Sequence, residues 1–170
     1  MPFTVDPSRH KEHHDLSTNP HTLVKQLSLN KAKDVAKRHK DSIIIAADTI
    51  VAINGKFLGK PKDAQDARRM LKILSGKTHS VITGLAIIDQ ATGKTISKSV
   101  ESKVFVKKLT DEIIELYIKT GEPFDKAGAY GIQGKGSALI EKVEGDYDTV
   151  VGLPLSLVAK FLTNFNNSTV

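Results

Sequence analysis

A mixed α/β fold, a twisted sheet flanked by helices, is what this sequence predicts, and three observations predict it. Ile43-Ile44-Ile45-Ala46-Ala47 sets three β-branched residues before two small ones, the pattern of a strand buried on both faces. Asn54-Gly55 between apolar runs is a strong two-residue hairpin signal. Segments with apolar residues at helical spacing alternate with such strands instead of following them as a block.

Composition narrows the class. A chain of 170 residues suits one domain with its own core, expected over residues 1–165, with 166–170 as a frayed tail. Hydrophobic content of 39% and charged content of 26% are those of an ordinary globular protein. With no cysteine, a disulfide framework and a thiolate zinc site are both excluded. No apolar run approaches the ~20 residues of a membrane span, and Met1–Asp6 lacks a signal-peptide core, so a cytoplasmic protein is expected. The net charge of +6 suits an anionic partner, nucleotide or nucleic acid. Aromatic content of only 5%, with no basic-aromatic cluster for stacking, argues against nucleic acid.

The elements follow in order. Asn19-Pro20 is a cap residue with proline at the first turn, and Leu23, Leu27, Ala32, Val35 and Ala36 carry one apolar stripe to about Arg38. Lys31 lies beside that stripe, one turn after Leu27. The strand from Ile43 continues to Ile53, turns at Asn54-Gly55 and returns as Lys56-Phe57-Leu58, which delivers Gly59-Lys60-Pro61. Asp63 caps a second helix whose inner face is Ala64, Ala67, Met70, Leu71 and Leu74, and Ser75-Gly76 ends it. Two long strands with a Gln90–Gly93 turn fill Thr78 to Val106, and His79, at the start of the first, reads as structural. Thr110 caps a third helix with Ile113, Leu116, Tyr117 and Ile118 as its apolar side. A glycine-rich stretch from Lys126 to Gly134 follows, then two expected strands, Ala138–Ile140 and Thr149–Val151, and a last helix from Leu155 to about Phe165.

Candidate chemistry gathers at strand ends and loops. Asp48-Thr49 puts a carboxylate and a hydroxyl on the core strand, with Lys60 and the glycine-rich stretch downstream. A metal-assisted reaction at a phosphate ester needs those parts: an acid, loop lysines and open backbone amides. Each also has a plain role, since Asp is common at strand ends, helix lysines mostly face solvent and a loop glutamine often satisfies nearby backbone. His10-Lys11-Glu12-His13-His14-Asp15 lacks helical ligand spacing, so its histidines read as solvated.

Seven segments, in order, resemble the motifs of the Maf family. They are Ala47-Asp48-Thr49, Leu58-Gly59-Lys60-Pro61, Leu74–His79, Thr83-Gly84, Thr120-Gly121-Glu122-Pro123, Asp125–Gly134 and Val150–Pro154. The resemblance runs from about Phe3 to the last helix. It implies the fold shared by Maf proteins and inosine triphosphatases. The activity implied is that of a nucleoside triphosphate pyrophosphatase, which releases the monophosphate and pyrophosphate with a divalent cation, Mg2+ or Mn2+. The Ala127–Gly134 segment, with Gly145-Asp146-Tyr147 after it, is similar to the branch acting on dTTP, UTP and modified pyrimidine triphosphates.

Carried over position by position, Asp48 matches the proton acceptor for the attacking water and, with Glu12, the metal-binding acids. Thr49 and Gln133 match positions tied to base selection, and Lys31 and Lys60 match lysines facing the phosphates. The resemblance leaves room for a homodimer. One family segment has no counterpart here: the N-terminal strand running into a Ser-x-Ser-Pro-Arg-Arg loop and helix. The sheet is therefore expected to lack that strand, with Phe3-Thr4-Val5 matching the strand after it. Two functions stand open, the pyrophosphatase and a shortened, non-catalytic protein that binds nucleotide or a partner.

Overall fold

A computed structural model describes residues 2–10 and 18–166. Helix α1 (Pro20–Ala36) is followed by strand β1 (Ile43–Ile53), β2 (Lys56–Leu58), helix α2 (Ala64–Leu74), β3 (Thr78–Asp89) and β4 (Thr95–Val106). Helix α3 (Asp111–Ile118) leads into three short 3₁₀ turns, Glu122–Asp125, Ala127–Ala129 and Gly134–Leu139, then β5 (Ile140–Glu144), α4 (Tyr147–Val151) and α5 (Leu155–Asn166). The five described strands form one antiparallel sheet in the order β2-β1-β3-β4-β5.

The local signals act where the sequence puts them. Asn19 Oδ1 accepts the first free amides of α1, and Asp63 accepts Asp66 N–H at 2.8 Å at the start of α2. Asn54 and Gly55 both take positive φ, 50° and 72°, so β1 and β2 join through the tight turn that their dipeptide favours. The sheet packs on both faces. Leu23, Val24 and Leu27 of α1 lie on Ile50 and Ile82, while α2 sets Ala67, Met70, Leu71 and Leu74 against Val51, Val81 and Val104 on the other face.

Several expectations change. The strand expected at Ala138–Ile140 begins only at Ile140, after the turn Gly134–Leu139, and Ala64 of α2 is exposed instead of on its inner face. β1 is not buried on both faces: Ile43 is exposed, and the run from Ile45 through Thr49 is only half-buried. The reason is its edge, because β2 pairs only with Val51–Ile53 and leaves Ile43–Ile50 bonded to β3 alone among the described strands. The segment Thr149–Val151 is helical, not a strand. Asp146 accepts both Thr149 N–H and Thr149 Oγ1–H at the front, and Gly152, φ 116°, closes the back, so two caps override a β-branched run. Helix α3 buries Ile114, Tyr117 and Ile118, while Ile113 and Leu116 face out, which rotates its apolar side from the one expected. Finally, Phe3-Thr4-Val5 forms no strand. Phe3 and Val5 are exposed, and the segment is tied down by Asp6, which accepts from Arg38 and pairs with His39.

Candidate active site

The half-buried stretch of β1 borders a cleft of about 320 Å3. Successive strand residues point to opposite faces, so this edge serves both. Asp48 faces α1, whereas Ala47, Thr49 and Val51 face the glycine-rich loop and α4.

Asp48 is met by Lys31, whose ammonium donates to its carboxylate in an ion pair only 9% exposed on the Asp48 side. A glycine makes that approach feasible. Gly84 pairs with Asp48 across β1 and β3, and a Cβ on it would lie 2.1 Å from the Val24 carbonyl oxygen. Only a bare backbone lets α1 rest this close to the sheet, about two turns before Lys31.

On the other face, Thr49 Oγ1 is 2.8 Å from Thr83 Oγ1, and Thr83 donates to the Thr149 carbonyl at 2.7 Å. Lys60 is exposed at the cleft after β2, and the Gly59 carbonyl beside it accepts Gly128 N–H at 3.0 Å, which ties the lysine loop to the glycine-rich loop. Lys126 also lines the cleft and donates to Asp125 at 2.7 Å.

The glycine-rich loop is held from behind by Glu122. Its carboxylate accepts Tyr117 Oη–H at 3.1 Å, Lys135 N–H at 3.0 Å and Gly136 N–H at 2.9 Å, while Tyr117 Oη accepts Gly131 N–H at 3.1 Å. Residues 131–136 are thus clamped at both ends around Gln133. Burial pushes the Glu122 carboxyl up, but the two amides and the tyrosine outweigh it and the net shift is downward. Burial raises the Tyr117 hydroxyl, and Tyr130 likewise. Tyr130, on the same loop, is 2.7 Å from Nε2 of the buried His79, which gives that histidine the structural part expected of it.

Lys31, Asp48, Thr49, Lys60 and Gln133, chosen from sequence, therefore line one cleft. Glu12 lies outside the described residues. Sequence reading gave no role to Asp125, Tyr130 and the hydrophobic wall of Val150 and Val151, nor to Thr83 or Glu122. The motifs carrying Thr83 and Glu122 were visible, but a supporting hydrogen bond across 66 residues leaves no local signal.

The family model described as Maf-like protein matches residues 1–165. The chain belongs to the Maf family. Maf relatives named dTTP/UTP pyrophosphatase include that of Halalkalibacterium halodurans, 49% identical over 95% of this chain and 84% of its own length. That of Alkaliphilus metalliredigens is 52% identical over 85% of this chain and 75% of its own, and that of Methanosarcina barkeri 46% identical over 94% and 81%. The Maf motifs fall on the cleft and its supports: Ala47–Thr49 on the open edge of β1, Lys60 and Asp125–Gln133 around it, Val150 and Val151 as its wall.

The acidic donors of this Maf cleft are oxygen ligands, the kind that hard divalent cations take. Among the described residues no cluster of three His, Cys, Asp or Glu side chains forms a closed metal cage. Two carboxylates line the cleft, Asp48 paired with Lys31 and Asp125 paired with Lys126, and a divalent cation there would take water and substrate phosphate as its further ligands.

Proposed function

We propose that this chain is a nucleoside triphosphate pyrophosphatase for dTTP and UTP. The observation that carries the reading is one cleft holding Asp48, three lysines, Thr49 and Gln133, in a chain at 46–52% identity to proteins named for that activity.

The chemistry follows from the charges present. A triphosphate entering the cleft meets Lys60 and Lys126 at its rim and Lys31 deeper in, all of which offset phosphate charge as it redistributes. Water attacks the α-phosphorus, its proton passes to Asp48, the α–β bridging bond breaks and pyrophosphate leaves with the bond's electron pair. A cation held by Asp48, with Glu12 in the same role, would supply further neutralisation of the phosphates when bound. Thr49 and Gln133 face the base: a side-chain amide offers both a donor and an acceptor, the pattern that uracil and thymine display in turn.

The experiment is product analysis across a nucleotide panel with Mg2+ or Mn2+. Equal molar monophosphate and pyrophosphate from dTTP and UTP, with purine triphosphates poor, is the expected result. Nucleotide binding without product overturns the reading in favour of a binding protein. Gln133→Ala should reduce the pyrimidine preference more than it slows the better substrate; equal slowing of every base would remove Gln133 from that role.

A further inference from the structure

The three threonines behind the cleft fix the direction of a proton. Thr83 is fully buried in β3, with 0% exposure, and its hydroxyl carries one hydrogen. The Thr149 carbonyl, 2.7 Å away, can only accept, so that hydrogen belongs to it. The carbonyl is free to take it because α4 stops there: Leu153 N–H, its would-be helical partner, goes to the Asp148 carbonyl instead. Thr83 Oγ1 therefore has only lone pairs left for Thr49 Oγ1 at 2.8 Å, and Thr49 must donate. With its single hydrogen spent, Thr49 turns only lone pairs to the cleft.

We infer that Thr83 is a positioning residue that makes Thr49 a fixed hydrogen-bond acceptor, and that the site thereby selects pyrimidines with an N–H at ring position 3. Uracil and thymine carry that N–H. Cytosine, identical in ring size, presents a bare nitrogen there, and two acceptors facing each other leave both unsatisfied. The inference rests on the reading of Thr49 as base-facing, and deepens it: selection resides in the orientation of a buried hydrogen-bond chain as well as in the groups that touch the base.

The test compares kcat/KM for UTP and CTP in the wild type, Thr49→Val, Thr83→Val and Thr83→Ser, each checked for a native circular dichroism spectrum. Thr83→Val frees the Thr49 hydrogen to rotate toward the base, so CTP turnover should rise and the UTP/CTP ratio fall about 10-fold or more. Thr83→Ser restores the hydroxyl and should restore the ratio. A merely structural role for Thr83 would depress both substrates together, and that outcome overturns the inference. If Thr49→Val lowers the ratio while Thr83→Val leaves it unchanged, Thr49 still faces the base but the proton relay is wrong. A ratio untouched by Thr49→Val removes the base-facing reading itself, and the inference with it. Should Thr83→Val fail to fold, Thr83→Ala takes its place: a lowered UTP/CTP ratio supports the proposal, and an unchanged ratio, or a wild type that turns over CTP as readily as UTP, overturns it.

Discussion

Lys31 and Asp48 are 17 residues apart in the chain and form an ion pair at the cleft, one on a helix and one on a strand edge. Nothing in the local sequence of either residue specifies the pairing. It is set by how closely α1 lies on β3, and so by Gly84.

Gly84→Ala tests that dependence. The added methyl overlaps backbone, which has no rotamer to escape into, so α1 must lift. We expect a loss of about 1–3 kcal/mol or more in chemical denaturation, together with weakened turnover because Lys31 is carried away from Asp48. Unchanged stability would mean that α1 is not seated against Gly84.

Removing the Lys31 charge should act on bound phosphate. Lys31→Met preserves the aliphatic stem on α1 but not the ammonium, and is expected to lower kcat/KM for the triphosphate by about 10-fold or more. A variant with normal kinetics would limit Lys31 to holding Asp48.

The clamp at Glu122 predicts a different signature. Glu122→Gln keeps the size but replaces one carboxylate oxygen by a donor, which cannot accept from Lys135, Gly136 and Tyr117 together. Residues 131–136 should loosen, with KM rising more than kcat falls, and the backbone amides of Gly131 and Gly136 should exchange faster with deuterium. Faster exchange elsewhere but not in this loop would place the role of Glu122 outside the clamp.

His79 sets an acid limit on stability. Burial, with the Lys103 charge adding to it, holds its pKa down at about 4 against an ordinary 6.5. Between those values the unfolded chain binds a proton that the folded chain does not, so stability present above pH 6.5 is lost as pH falls toward 4. The change amounts to roughly 3 kcal/mol over that window. His79→Gln, which can still hydrogen-bond Tyr130, should flatten the pH dependence of the melting temperature in this range. An equally steep fall in the variant would assign the acid sensitivity to other groups.

How much of this was legible in the sequence follows from the range of each interaction. Caps and turns act over a few residues, so Asn19, Asp63, Asn54-Gly55 and Gly76 announced their elements. The same local logic, applied to Asp146 and Gly152, could have marked α4; the β-branched run Thr149–Val151 was given more weight than the caps around it. The exposure of β1 was legible in part, since a three-residue β2 after the Asn54-Gly55 turn can pair only with the end of β1, but the β-branched run Ile43–Ile45 was given more weight than that short partner. The residues lining the cleft were reached through motif resemblance, whereas Thr83, Glu122 and Tyr117 act through partners distant in sequence and became visible only in three dimensions.

The proposed reaction turns on Asp48 taking the proton from water as the α–β bond breaks. Its most direct test is pyrophosphate release from UTP by wild-type chain and Asp48→Asn, with fold and nucleotide binding checked on the same samples. The predicted result is loss of turnover by about 10²-fold or more, with the variant folded and still binding UTP. A folded Asp48→Asn chain that releases pyrophosphate at the wild-type rate would contradict it.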